Sequence, residues 1–127
     1  MEPNLTMQTS VVLLAISAVG GIVMAAIRFS GKPHPPIWLA MLHGFLSAAA
    51  VTLLLYAALT VGLPTLAVTA LVLFLLAATG GVVMNLQYHW KGLPLPKWLV
   101  LVHAAVAVVG FLCLLGAVWP TLGQPPG

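Results

Sequence analysis

Charge is nearly missing from this chain. Of its 127 residues four are Lys or Arg and one is acidic, so 4% are charged, against about 25% in an ordinary soluble domain. Five formal charges cannot coat a folded surface, which excludes a water-soluble globular domain. Disorder is excluded as well, because 62% of the residues are apolar. The one acid, Glu2, stands outside every apolar run. That argues against a proton-coupled multidrug exporter of the small four-helix type, and against a dinuclear metal centre, both of which need carboxylates in the membrane. Cys113 is alone, so an internal disulfide and a Cys-x-x-Cys redox motif are both excluded, and it reads as a buried structural thiol. Walker, GxSxG and Ser-His-Asp patterns are missing too, leaving hydrolytic and transferase chemistry without machinery. The net charge of +3 rests on four cations, too few for a nucleic-acid surface.

What the chain does have is long apolar runs. Four are long enough to span a bilayer, at about 11–28, 37–59, 65–86 and 98–119. Pro and Gly punctuate the joints Arg28 to Pro36, Thr60 to Pro64 and Gln87 to Lys97. The runs are too long for strands and show no two-residue alternation. The expected fold is therefore all-α: an integral membrane four-helix bundle, up-down-up-down, with no room for a second domain. Glu2-Pro-Asn4 and Gln124-Pro-Pro-Gly127 read as short, poorly ordered tails. The first run lacks a basic flank and a small-residue cleavage site, so it reads as a retained helix.

Arg28 and Lys32 fall in the first connection, Lys91 and Lys97 in the third, and none elsewhere. The positive-inside rule then puts loops 28–36 and 87–97 in the cytoplasm and both termini outside, as in a bacterial inner membrane. Trp38, Trp98 and Trp119 near the span ends read as interfacial anchors. His34 and His89, in or near the cytoplasmic loops, are expected to be solvated.

A shift of 60 residues aligns the two halves, about 11–60 and 71–120, without a gap. Gly20-Gly21-x-Val23-Met24 matches Gly80-Gly81-x-Val83-Met84. Pro36-x-Trp38-Leu39-x-x-x-His43 matches Pro96-x-Trp98-Leu99-x-x-x-His103. Each half holds two spans, so the bundle reads as two tandem helical hairpins, related in parallel about an axis along the membrane normal.

The repeat puts His43 and His103 at one depth, about 9 Å into spans 2 and 4, which are expected to be the diagonal pair. Ionisable residues at such depth are functional candidates, and two axial imidazoles from facing helices are what a b-type haem iron takes. Gly20, Gly21, Gly80 and Gly81 lie near that depth and let backbone approach a flat macrocycle. Ala50 and Gly110, seven residues past each His, extend the small-residue face. Arg28, with Tyr88 as its repeat mate, is placed to meet propionates. The plainer reading of each His is a hydrogen bond between helices, and Ser17-x-x-x-Gly21 and Ala77-x-x-x-Gly81 also read as helix-packing faces.

This design resembles the small b-type membrane cytochromes of the cytochrome b561 kind, whose four-helix cores hold haem through helix-borne histidines. The resemblance covers the four spans and rests on His43, His103 and the neighbouring glycines. That family uses four histidines for two haems, whereas two lie within the spans here, so the resemblance implies one haem b per chain and a role in membrane electron transfer. A quinone or another redox protein is then an expected partner, along with the lipid bilayer and other membrane subunits or further copies of the chain. Three alternatives stand beside it: a cofactor-free accessory or assembly subunit of a larger membrane complex, a small transporter along the repeat axis, and a chlorophyll-type pigment site, which also takes an axial His.

Overall fold

The structure is a computed structural model that describes residues 2–124. Four apolar helices form the bundle: α1 (Pro3–Phe29), α2 (Ile37–Thr60), α3 (Thr65–Met84) and α4 (Lys97–Val118). A π-helical turn, Asn85–His89, continues α3, and a 3-10 turn, Trp119–Thr121, follows α4. With these extensions all four are long and apolar enough to cross a membrane. The chain is thus an all-α integral membrane bundle.

Proline starts these helices. Pro36, Pro64 and Pro96 precede α2, α3 and α4 with φ of −58°, −57° and −61°, the angle their rings impose. The Pro36 carbonyl then accepts from the amides of Leu39 and Ala40 at 3.2 and 3.3 Å, and the Pro96 carbonyl from Leu99 and Val100. Gly62 ends α2 with φ +82° while its amide reaches back to the Ala57 carbonyl at 2.9 Å. A left-handed residue just past a helix is the usual glycine stop.

Packing runs round the square α1–α2–α3–α4, so α2 and α4 face each other on a diagonal, as do α1 and α3. The buried core lies in one half of the bundle's length. It is built from Met7 and Leu14 of α1, Ala50 and Leu54 of α2, Ala67, Ala70, Leu71 and Phe74 of α3, and Leu114, Ala117 and Val118 of α4. Leu54 and its repeat mate Leu114 are both fully buried. Toward the basic loops no comparable apolar core forms; Ser17, Ala77, His89 and Leu95 are among the few buried residues there. The bundle is closed at the end away from its cations and looser where the histidines are.

Three boundaries differ from the sequence expectation. α1 starts at Pro3, not near residue 11, so Glu2-Pro-Asn4 is not a loose tail. The polar stretch holds its helix by turning hydroxyls back on the backbone: Thr6 Oγ1 donates to the Glu2 carbonyl and Ser10 Oγ to the Thr6 carbonyl, each at 2.9 Å. Thr6, Met7 and Ser10 are buried against the bundle. The third span runs on through the π turn to His89, past its expected end at 86, so the third connection begins at Trp90. Arg28 belongs to the last turn of α1, not to the loop. Of the expected tail Gln124 to Gly127, residues 125–127 lie outside the described residues.

Trp38, Trp98 and Trp119 are exposed at helix ends, as interfacial anchors are. Cys113 is half-buried and packs against the core.

Candidate functional site: the paired imidazoles

His43 and His103 meet across the diagonal. Their ring centroids are 6.1 Å apart with the planes at 67°. Each ring is held the same way within its own hairpin. His43 Nδ1 lies 2.8 Å from the Ser17 carbonyl, and His103 Nδ1 lies 2.8 Å from the Ala77 carbonyl, both 26 residues back. A carbonyl only accepts, so Nδ1 carries the proton in both rings. That tautomer leaves Nε2 with its lone pair, and no hydrogen bond among the described residues occupies either Nε2. A histidine ligand is commonly oriented by this arrangement, in which the second ring nitrogen donates to a backbone carbonyl.

The glycines make the arrangement possible. A Cβ on Gly21 would stand 3.1 Å from His43 Cε1, and one on Gly81 would stand 3.4 Å from His103 Cε1. Gly20 and Gly80 lie one residue behind, with His43 Cβ and His103 Nδ1 at 3.9 and 3.8 Å from the same virtual atom. The pairs expected to clear backbone for a macrocycle are therefore filled by the imidazoles themselves.

The surroundings of the two rings differ. Ser17 Oγ donates to the His43 carbonyl at 3.0 Å, lies 2.9 Å from His43 Nδ1, and shares a 2.6 Å hydrogen bond with Ser47 Oγ. The repeat mates of these serines are Ala77 and Ala107. His43 thus has hydroxyls beside it that His103 lacks. This network could not be read before the structure, because nothing in a serine's spacing shows which carbonyl or ring its hydroxyl meets.

No family model, curated protein or solved structure matches this chain.

The other expected site residues are placed differently. Ala50 is fully buried and its carbonyl takes a 3.4 Å contact from Ser10 Oγ. A Cβ on Gly110 would press on Leu73 and Phe74 at 3.1 to 3.3 Å. Both small residues serve close helix packing in the apolar core, two turns from the rings. Arg28 Nε donates to the Leu95 carbonyl at 2.7 Å and Nη1 to the Lys32 carbonyl at 3.2 Å, tying the two basic loops together. The Leu95 amide adds a 3.0 Å bond to the Pro33 carbonyl. Tyr88 is half-buried in the π turn, where its carbonyl accepts from the amides of Lys91 and Leu93. His89 is not solvated but buried, 7% exposed, because the π turn rotates it inward.

Asn85 is a residue the sequence did not single out. It lies one turn beyond Gly81, on the same side of the helix, and its Oδ1 is buried without a hydrogen-bond partner. An apolar groove of about 470 Å³ also runs along hairpin α1–α2 beside His43, between Gly20 and Val23 on one side and Leu39 and Leu42 on the other.

Proposed function

We propose that this chain is a membrane electron-transfer protein, or a subunit of one, that binds a single b-type haem through His43 and His103. The observation that carries the reading is the matched pair of Nδ1-anchored imidazoles with free Nε2 atoms. With ring centroids 6.1 Å apart, the two imidazoles are near enough for His43 and His103 to hold one metal between them. The loose packing in the same half of the bundle agrees with a further group there. Haem would supply a one-electron couple. His43 and His103 would hold the iron through their Nε2 atoms, and ligation by two imidazoles favours electron transfer over oxygen chemistry. A purified sample in mild detergent is expected to show a Soret band and the sharp visible bands of a low-spin haem on reduction. A colourless protein purified from cells supplied with haem precursor overturns the reading.

The groove beside His43 favours one second reading, a chlorophyll-type pigment held by His43 alone. Solvent extraction separates the two, since pigment gives a far-red band and haem does not. A colourless subunit that co-purifies with larger membrane partners would select the accessory role.

The orientation is part of the proposal. With Arg28, Lys32, Lys91 and Lys97 all at one end, that end faces the cytoplasm and both termini face outward. In a Cys113→Ala background, a cysteine at Gly92 is expected to resist membrane-impermeant maleimide in intact cells, while one at Gly62 is labelled. The reverse pattern overturns the orientation.

A further inference from the structure

A second pocket, of about 490 Å³, opens at the basic end, apart from the His43–His103 pair. It forms where the end of α3 meets the first connection. The π turn carries His89 inward until its ring lies 5.0 Å from that of His34, tilted by 37°. Lys32 lines the same pocket, and Pro35, Ile37 and Trp90 supply apolar walls. The corresponding stretch of α1 in the first half, residues 25–29, is ordinary α-helix and ends in a phenylalanine where the second half has His89.

The charges here are unbalanced. Two imidazoles and an ammonium line one pocket, while the only acid in the chain, Glu2, is beside the start of α1 at the other end of the bundle. A metal cation is a poor occupant beside an ammonium, and among the described residues no third His, Cys, Asp or Glu joins the pair. An oxyanion suits the same groups, because it accepts hydrogen bonds from imidazole N–H and pairs with lysine. Lys32 is also the cation left over. Arg28 is held by two carbonyls, Lys91 Nζ donates to Gln87 Oε1 at 2.6 Å, and Lys97 Nζ stands 5.5 Å over the Phe29 ring. Among the described residues the Lys32 ammonium makes no hydrogen bond. His34 is nearly as uncommitted, with one long 3.4 Å contact from Nδ1 to the Pro35 carbonyl.

We propose that this pocket binds a phosphate-type oxyanion, with Lys32 as its charge partner and His34 and His89 as hydrogen-bond donors. The site is independent of haem binding at the other histidine pair. Two sources share the chemistry: the headgroup of an anionic phospholipid and a free phosphate in solution.

The test is a titration of histidine-labelled protein in zwitterionic nanodiscs, followed by side-chain NMR. One arm adds inorganic phosphate and the other a short-chain phosphatidylglycerol. Saturable shifts are expected for His34 and His89 and not for His43 or His103. Lys32→Gln is expected to weaken the apparent Kd about tenfold, the loss of one charge-assisted contact. Lys91→Gln, outside the pocket, keeps the original affinity. A response to the lipid alone assigns a headgroup site, and a response to inorganic phosphate assigns a soluble anion. Silence in both arms overturns the site, as does equal weakening by Lys32→Gln and Lys91→Gln, which marks unspecific attraction to a basic surface.

Discussion

A His103→Ala variant is expected to lose the low-spin haem spectrum, and a His43→Ala, His103→Ala double variant to purify without a Soret band. Each imidazole is held by a 2.8 Å hydrogen bond from Nδ1 to a carbonyl of the preceding helix, against a glycine that leaves room for the ring. Loss of an outer-shell partner alone costs a metal site about 10–100-fold in affinity, so removing the ligand itself is expected to exceed that range. The bundle should survive. One cross-helix hydrogen bond in a membrane protein contributes on the order of 0.6 kcal/mol, and the apolar core lies in the other half of the molecule. Helical content and monodispersity in detergent should therefore match the parent while the visible bands vanish. A Soret band that persists in the double variant would show that the iron is held elsewhere.

The largest effect on stability is expected from Gly110→Leu. A Cβ at this position already meets Leu73 Cβ at 3.2 Å and the Phe74 ring at 3.1 and 3.3 Å. Phe74 is itself buried among Ala70, Leu71 and Leu114, so nothing nearby can give way cheaply. Overpacking of this kind costs about 1–3 kcal/mol or more, and a leucine at this backbone contact should reach the upper part of that range. Gly44→Leu, in α2, is the matching control. Nothing lies within 4 Å of its virtual Cβ, and its repeat mate is Ala104. There the better helix propensity of leucine should add stability, up to about 1 kcal/mol. Thermal unfolding in detergent, followed by circular dichroism, is expected to move in opposite directions for the two variants. Equal shifts would mean that close approach of α3 and α4 at Gly110 does not limit stability.

Much of this architecture was legible because membrane helices are written in coarse strokes. Long apolar runs bounded by Pro36, Pro64 and Pro96 announce spans without any need for side-chain detail. The repeat was legible through rare residue types, Gly-Gly, Trp and His, and it put His43 and His103 at one depth before any geometry was known. What escaped the sequence depended on local hydrogen bonding. The start of α1 was hidden because Asn4, Thr6, Gln8, Thr9 and Ser10 look like a polar tail, yet Thr6 and Ser10 bond within the helix. The π turn has no side-chain signature, so neither the burial of His89 nor its approach to His34 could be read. Ala50 and Gly110 were recognisable as small, but smallness does not say what approaches; here it is a neighbouring helix. Arg28 was recognisable as the cation at a helix end, but the carbonyls that claim it belong to loops 67 and four residues away.

The hydroxyl pair Ser17–Ser47 has a consequence for how such a bundle can evolve. A homodimer of one hairpin has the same residue at both symmetry-related places, so a change beside one imidazole is copied beside the other. Two hairpins joined in one chain escape that constraint. Here the freedom is visible at the contact nearest the rings: serines on one side of the pseudo-axis, alanines on the other. The fused chain thereby distinguishes left from right across its own axis, and its two imidazoles sit in inequivalent surroundings that no dimer of identical hairpins could encode.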